Sequence, residues 1–144
     1  MSLLRTSIVS LATVAVIVAC SGGSQSVGAS CTSASSCYPG VTASSIKGTV
    51  TCLTQISGGY CTHTCSADSD CCAASGECKS GFKELCAPFE STGTSYCFLS
   101  CEAADIQASG AGNMAPDTYC QTYAGASFTC RSTGGGANNK QFCG

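Results

Sequence analysis

Fifteen cysteines and one histidine, His63, are the residues of this 144-residue chain best suited to chemistry. Thiolates in C-x2-C knuckles hold zinc or iron–sulfur clusters, and C-x2-C at a helix start exchanges disulfides. The chain contains no C-x2-C and no C-x-C. A single imidazole and no G-x-S-x-G leave no triad for nucleophilic catalysis. His63, in the tight segment between Cys61 and Cys65, reads as an exposed surface residue. No catalytic residue, metal ligand or cofactor is expected, and so no enzyme.

The close carboxylate groupings are Asp68-x-Asp70 and Glu84 with Glu90. A Ca²⁺ ion wants six to eight oxygens, and the segment lacks the glycine and terminal glutamate of an EF-hand loop. Asp68 and Asp70 therefore read as turn formers ahead of Cys71. Cys71 and Cys72 are adjacent, and neighbouring side chains diverge, so they are expected to bridge to two separate partners.

The thiols then have a structural use, provided the chain leaves the cytosol. Arg5, an apolar run from Ile8 to Ala19 broken by Ser10 and Thr13, and a small-residue exit form a signal-peptide pattern over 1–19. The run is too short to cross about 30 Å of hydrocarbon, which takes about twenty helical residues. Its exit, Ile17-Val18-Ala19-Cys20, resembles the lipobox of bacterial lipoproteins. That resemblance implies cleavage before Cys20 and acylation of Cys20, giving a partner membrane through a lipid anchor. Ser21 in place of Asp implies an outer-membrane address rather than inner-membrane retention; cleavage without acylation would give an extracellular protein. Removing Cys20 from the odd total leaves fourteen cysteines, an even set for disulfides: Cys31, Cys37, Cys52, Cys61, Cys65, Cys71, Cys72, Cys78, Cys86, Cys97, Cys101, Cys120, Cys130 and Cys143.

Composition agrees with a stapled domain. From Cys20 onward, Leu, Ile, Val and Phe make up about 11 % of residues, below the ~20 % that self-folding chains need. Cysteine is about as frequent, above the ~8 to 10 % that marks a disulfide scaffold. Bridges replace the missing core. With five Lys or Arg against eight Asp or Glu in that stretch and no cluster of either sign, nucleic acid is excluded as a partner. No small-molecule substrate is evident; a protein partner at the cell surface is compatible.

These features imply a small disulfide-rich domain of short β-hairpins and loops with at most one or two short helices. Residues 20–30, dominated by Ser and Gly, read as the lipidated cysteine and a flexible tether. Strands are expected at 48–56, 95–99, 127–131 and 140–143. Gly58-Gly59 turns the first toward Tyr60-Cys61, and the STGGGANN run at 132–139 joins the last two. Helices are expected at 101–108, capped by Ser100, and at 116–124, where Pro116 suits the first position and Gly125 the exit. The aromatic residues mostly neighbour cysteines and read as core.

Two echoes suggest duplication. Tyr60-Cys61-x3-Cys65 recurs as Tyr96-Cys97-x3-Cys101, with a third Tyr-Cys pair at 119–120, and C-x5-C occurs at 31–37 and 65–71. We read two cysteine modules, 31–86 and 87–144, packed together. The segment GGYCTHTCSADSDCC resembles a repeated C-x3-C-x2-D-x-D-C pattern of uncharacterised myxobacterial cysteine-rich lipoproteins, which implies export and disulfides. The spacing from Cys61 to Cys86 also resembles an inhibitor-knot or toxin-like framework. The functional expectation is a lipid-anchored, disulfide-rich cell-envelope protein with a structural or binding role; the alternative is a secreted or displayed inhibitor or toxin-like effector acting through an inter-cysteine loop.

Overall fold

The computed structural model describes residues 27–89, 93–134 and 139–144. The signal peptide at 1–19, Cys20, the tether up to residue 26, Glu90 and the middle of the STGGGANN run lie outside the described residues. Among the described residues, six short strands form three antiparallel hairpins. β1 (Val50–Cys52) pairs with β2 (Cys61–His63), β3 (Glu84–Pro88) with β4 (Ser95–Leu99), and β5 (Cys130–Ser132) with β6 (Gln141–Cys143). Two short helices, α1 (Ala103–Ile106) and α2 (Pro116–Tyr123), flank a π-type turn over Gln107–Ala111. This is the small disulfide-rich fold that the composition implies.

Each hairpin sets two cysteines opposite one another: Cys52 faces Cys61, Cys86 faces Cys97, and Cys130 faces Cys143. None bridges its neighbour. All six reach back to the segment before their own hairpin, through Cys31–Cys52 with Cys37–Cys61, Cys65–Cys86 with Cys71–Cys97, and Cys101–Cys130 with Cys120–Cys143. The domain is thus three successive four-cysteine units, 31–61, 65–97 and 101–143, each bridged first-to-third and second-to-fourth. Loops of this length stabilise by about 3 to 4 kcal/mol per bridge in the chain-entropy treatment. The seventh bridge, Cys72–Cys78, is an addition inside the second unit. As expected, Cys71 and Cys72 go to separate partners.

Backbone geometry repeats with the bridges. The N–H of each unit's first cysteine donates to a carbonyl just before its fourth: Cys31 to Gly58, Cys65 to Ser95 and Cys101 to Gln141. In the first two units a 3-10 turn separates the first two cysteines, at Ala34–Ser36 and Asp68–Asp70. The residue after the second cysteine then takes a left-handed φ, 55° at Tyr38 and 65° at Cys72. The third unit departs by placing α1 between Cys101 and Cys120, and Cys120 itself within α2. The units meet in the three-residue links 62–64 and 98–100, whereas the division read at 86/87 falls inside the β3–β4 hairpin.

β4 is the hub. Thr64, just beyond β2, bridges to Tyr96, Thr62 Oγ1 donates to the Cys97 carbonyl at 2.7 Å, and Ser100 bridges to Phe142 of β6. On β4 the fully buried Phe98 ring lies 5.3 Å from Tyr60 and 4.7 Å from Phe142, and Tyr60 lies 5.1 Å from Phe128. These aromatic contacts supply the apolar burial that the chain lacks in aliphatic residues.

β4 and α2 occur where the sequence places them, with Pro116 opening α2. β1 is shorter than 48–56 because the chain already turns after Cys52, where the Ile56 N–H donates to the Leu53 carbonyl. α1 begins at Ala103, and Ser100 acts beside it by donating to Asp105 Oδ2 at 2.5 Å rather than as its N-cap. Within the stretch read as a flexible tether, residues 27–30 are docked. Val27 is buried, the Gly28 N–H donates to the Cys61 carbonyl, and the Cys61 N–H donates to the Ala29 carbonyl.

Candidate functional site

Superposing the units by their bridges makes Glu84 the counterpart of Val50, since each lies two residues before the third cysteine on the first hairpin strand. By the same alignment Leu99 is the counterpart of His63, and the cross-strand pairs are Val50 with His63 and Glu84 with Leu99. Two titratable side chains therefore occupy positions that are aliphatic in the sister unit. The structure treats them differently.

His63 is buried and fully partnered. Its Nε2 lies 2.6 Å from Glu77 Oε1 and its Nδ1 lies 3.0 Å from the Thr64 carbonyl oxygen. Neither the His63 nor the Glu77 side chain is exposed at all. Glu77 also accepts the Cys72 and Ala74 N–H groups, each at 2.8 Å. Its carboxylate ties the 72–78 loop to β2. The expectation of an exposed His63 is overturned: β2 is packed between β1 and β4, so the residue after Thr62 has no path to solvent. The imidazole has no surface to offer a substrate.

Glu84 is buried, 4 % exposed, and one of its carboxyl oxygens, Oε2, has no hydrogen-bond partner among the described residues. A carboxyl oxygen of Glu84 lies within 4.8 Å of both sulfurs of the Cys72–Cys78 bridge. Burial, and then the nearby negative Glu77, hold its carboxyl well above the usual carboxylate range. The same burial, with Glu84 close by, pushes the Tyr38 and Tyr60 hydroxyls upward so that both stay protonated. The Tyr38 hydroxyl is also without a partner, whereas that of Tyr60 accepts the Leu99 N–H.

Glu84 lines a cavity of about 180 Å³. Leu99 and Val27 supply aliphatic surface, Phe82 and Tyr123 supply rings, and Lys79 and Thr122 complete the lining. Lys79 Nζ stands 4.7 Å from the Phe82 centroid and 5.2 Å from that of Tyr123, whose ring lies tilted against Tyr119 at 5.0 Å. Tyr123, at 37 %, is the exposed large apolar side chain among the described residues. A larger cleft of about 440 Å³ beside α1 and α2 has no titratable residue in its lining. Of these two, only the smaller cavity has titratable groups in its lining.

The remaining residues singled out in the sequence serve the fold. Asp70 accepts the Ser66 and Ala67 N–H groups, which hold its carboxyl below the usual range. Asp68 accepts the Cys86 N–H and Lys140 Nζ. Partial burial pushes Asp68 up, but these two donors outweigh it and hold the carboxyl low. Both aspartates are committed to braces. Among the described residues, the side-chain groups close enough to share a metal are built on sulfurs already in disulfides, which are not thiolate ligands. Sequence reasoning missed Glu77 and Lys79, and it read Tyr123 with the other aromatics as core, whereas the structure leaves it exposed at the mouth of the cavity. Of the two missed, only Glu77 left a trace, as an acid inside a cysteine-closed loop.

Comparison with protein-family models, with curated proteins and with solved structures finds no match for the chain.

Proposed function

We propose that the chain is an exported, lipid-anchored binding module of the cell envelope, acylated at Cys20 and without catalysis of its own. The observation that carries the reading is the complete pairing of the fourteen other cysteines into seven bridges, a state that an oxidising compartment maintains and the cytosol does not. Attachment is supported by the lipobox at 17–20. Two or more acyl chains make such an anchor stable. A non-catalytic role is supported by the burial of the one imidazole and by the structural commitment of Asp68, Asp70 and Glu77. Binding is supported by the Glu84 cavity. Val27 lines that cavity and is seven residues from Cys20, so the chain can separate the two by at most about 25 Å. The cavity is held close to whatever surface carries the lipid.

Intact mass of the protein from its native membrane, taken after alkylation with and without prior reduction, tests the reading. The expected result is a diacylglyceryl and N-acyl increment on Cys20, no alkylation before reduction and fourteen adducts after it. A mass without lipid would replace the anchored module by the secreted effector. Free thiols in the native sample would overturn the structural role of the cysteines.

A further inference from the structure

We infer that the Glu84 cavity is a receptor for a primary alkylammonium group, with the positive head against Glu84 and the carbon stem along Phe82 and Leu99. The inference rests on the binding part of the reading above and does not depend on the lipid.

Two observations, on different side chains, converge on a cation. A carboxyl occupies a strand position where the sister unit has Val50, and its Oε2 is buried without a partner. A buried polar group left unsatisfied is a cost to the fold, so the fold gains nothing from this acid. The ring faces of Phe82 and Tyr123 already hold a cation, the ammonium of Lys79. Aromatic faces attract positive charge through their quadrupole. An anion would meet Glu84 with Glu77 behind it, and a purely apolar ligand would leave the carboxyl oxygen as unsatisfied as it is in the free protein. The volume of about 180 Å³ admits an ammonium on a short alkyl stem and excludes a folded chain segment.

The site also has a proton to exchange. Around Glu84 stand Glu77 on the 72–78 loop, Tyr38 and Tyr60 from the first unit, Tyr119 and Tyr123 from α2, and Lys79 at the cavity. Burial raises Tyr38, Tyr60 and Tyr119, so these stay neutral, and Glu77 is engaged by His63. A bound ammonium favours the Glu84 carboxylate over the neutral acid of the empty site. Binding therefore releases a proton, and affinity climbs as pH rises.

The same head group is presented by a free amine and by a lysine side chain of another protein. Titration of the oxidised protein with n-butylammonium, Nα-acetyl-lysine amide, n-butanol and butyrate, followed by the ring proton resonances of Phe82 and Tyr123, separates these. Saturable n-butylammonium or blocked-lysine binding that strengthens from pH 5 to 8 is expected, with no binding of butyrate. Whichever amine binds more tightly identifies the source. Glu84→Gln should weaken the amines about tenfold or more, as truncating one partner of a buried charge pair does. Lys79→Met, which frees the ring faces, should tighten them several-fold and keeps the test decisive if the Glu84 variant misfolds. Equal affinity for n-butanol, indifference to Glu84→Gln in a folded sample, or absence of saturation by either amine overturns the inference. None of these outcomes changes the mass spectrum that tests the anchor.

Discussion

His63 Nε2 and Glu77 Oε1 meet at 2.6 Å with neither side chain exposed. The Thr64 carbonyl can only accept, so His63 Nδ1 carries a hydrogen, and one further proton lies between the imidazole and the carboxyl. With the Cys72 and Ala74 N–H groups on the same carboxyl, Glu77 satisfies three polar groups at once, two of them buried. Glu77→Ala should destabilise by about 3 to 5 kcal/mol, the range for breaking a buried pair from one side. Glu77→Gln, which keeps an acceptor, should cost less. His63→Ala in the Glu77→Ala background should add less than it costs alone, a coupling of about 1 to 3 kcal/mol. Urea unfolding of the four proteins with their disulfides intact measures this, and additivity would mean the two residues act separately.

Gly58 and Gly59 form one turn, yet they tolerate substitution differently. Both have left-handed φ, 86° and 70°. A Cβ on Gly58 meets nothing within 4 Å, whereas one on Gly59 would lie 1.9 Å from the Cys31 carbonyl oxygen, a backbone atom fixed by the Cys31–Cys52 bridge. Gly58→Ala should cost about 1 to 2 kcal/mol, the ordinary left-handed penalty. Gly59→Ala should fail to accumulate the native bridge pattern on oxidative refolding. Chromatographic comparison of the refolded isomers distinguishes the two.

The contrast between neighbouring glycines shows what a sequence can and cannot display. Gly58-Gly59 announces a turn, Pro116 announces a helix start and the cysteine count announces staples, because each signal is local. The threefold arrangement was only half visible. C-x3-C at 61–65 and 97–101 marks the joints between units, but the third Tyr-Cys pair, Tyr119-Cys120, misleads: Cys120 is the second cysteine of its unit, and Phe142-Cys143 holds the place of Tyr60-Cys61 and Tyr96-Cys97. β3 was hidden because its sequence, ELCAP, carries an acid and a proline where a strand should show alternating apolar residues. The His63–Glu77 pair spans fourteen positions with no motif, and the Glu84 cavity draws on Val27, β3 and α2, which only the assembled fold brings together.

Bridge mapping tests the repeat directly. Non-reducing digestion should yield the first-to-third and second-to-fourth links in each unit, together with Cys72–Cys78; peptides joining Cys52 to Cys61 or Cys86 to Cys97 would contradict it. The additional bridge should matter least. With a sequence separation of 6 against 29 for Cys101–Cys130, loop closure assigns about 2 kcal/mol to the former and about 3.5 kcal/mol to the latter. Paired Cys→Ala replacements, compared by urea midpoint, should fall in that order.

Glu84 should also give the free protein an unusual pH response. Its carboxyl is held above its ordinary value of 4.5, so above that pH the folded state keeps a proton that the unfolded chain releases. Stability then falls as pH rises, with a slope approaching about 1.4 kcal/mol per pH unit for one proton, until Glu84 ionises in the fold. Asp68 and Asp70 act in the opposite sense but in another window. Their carboxyls are held low, so their contribution is complete above their ordinary 3.8 and is lost only as pH falls through their lower folded-state values. Urea midpoints measured at pH 5, 6, 7 and 8 should decline for the parent protein relative to Glu84→Gln, which should be the more stable of the two at pH 7. The difference between them isolates Glu84 from every group common to both. Parallel curves would mean that solvent reaches the Glu84 carboxyl, and the cavity would then lack the desolvated acid on which its preference for a cation depends.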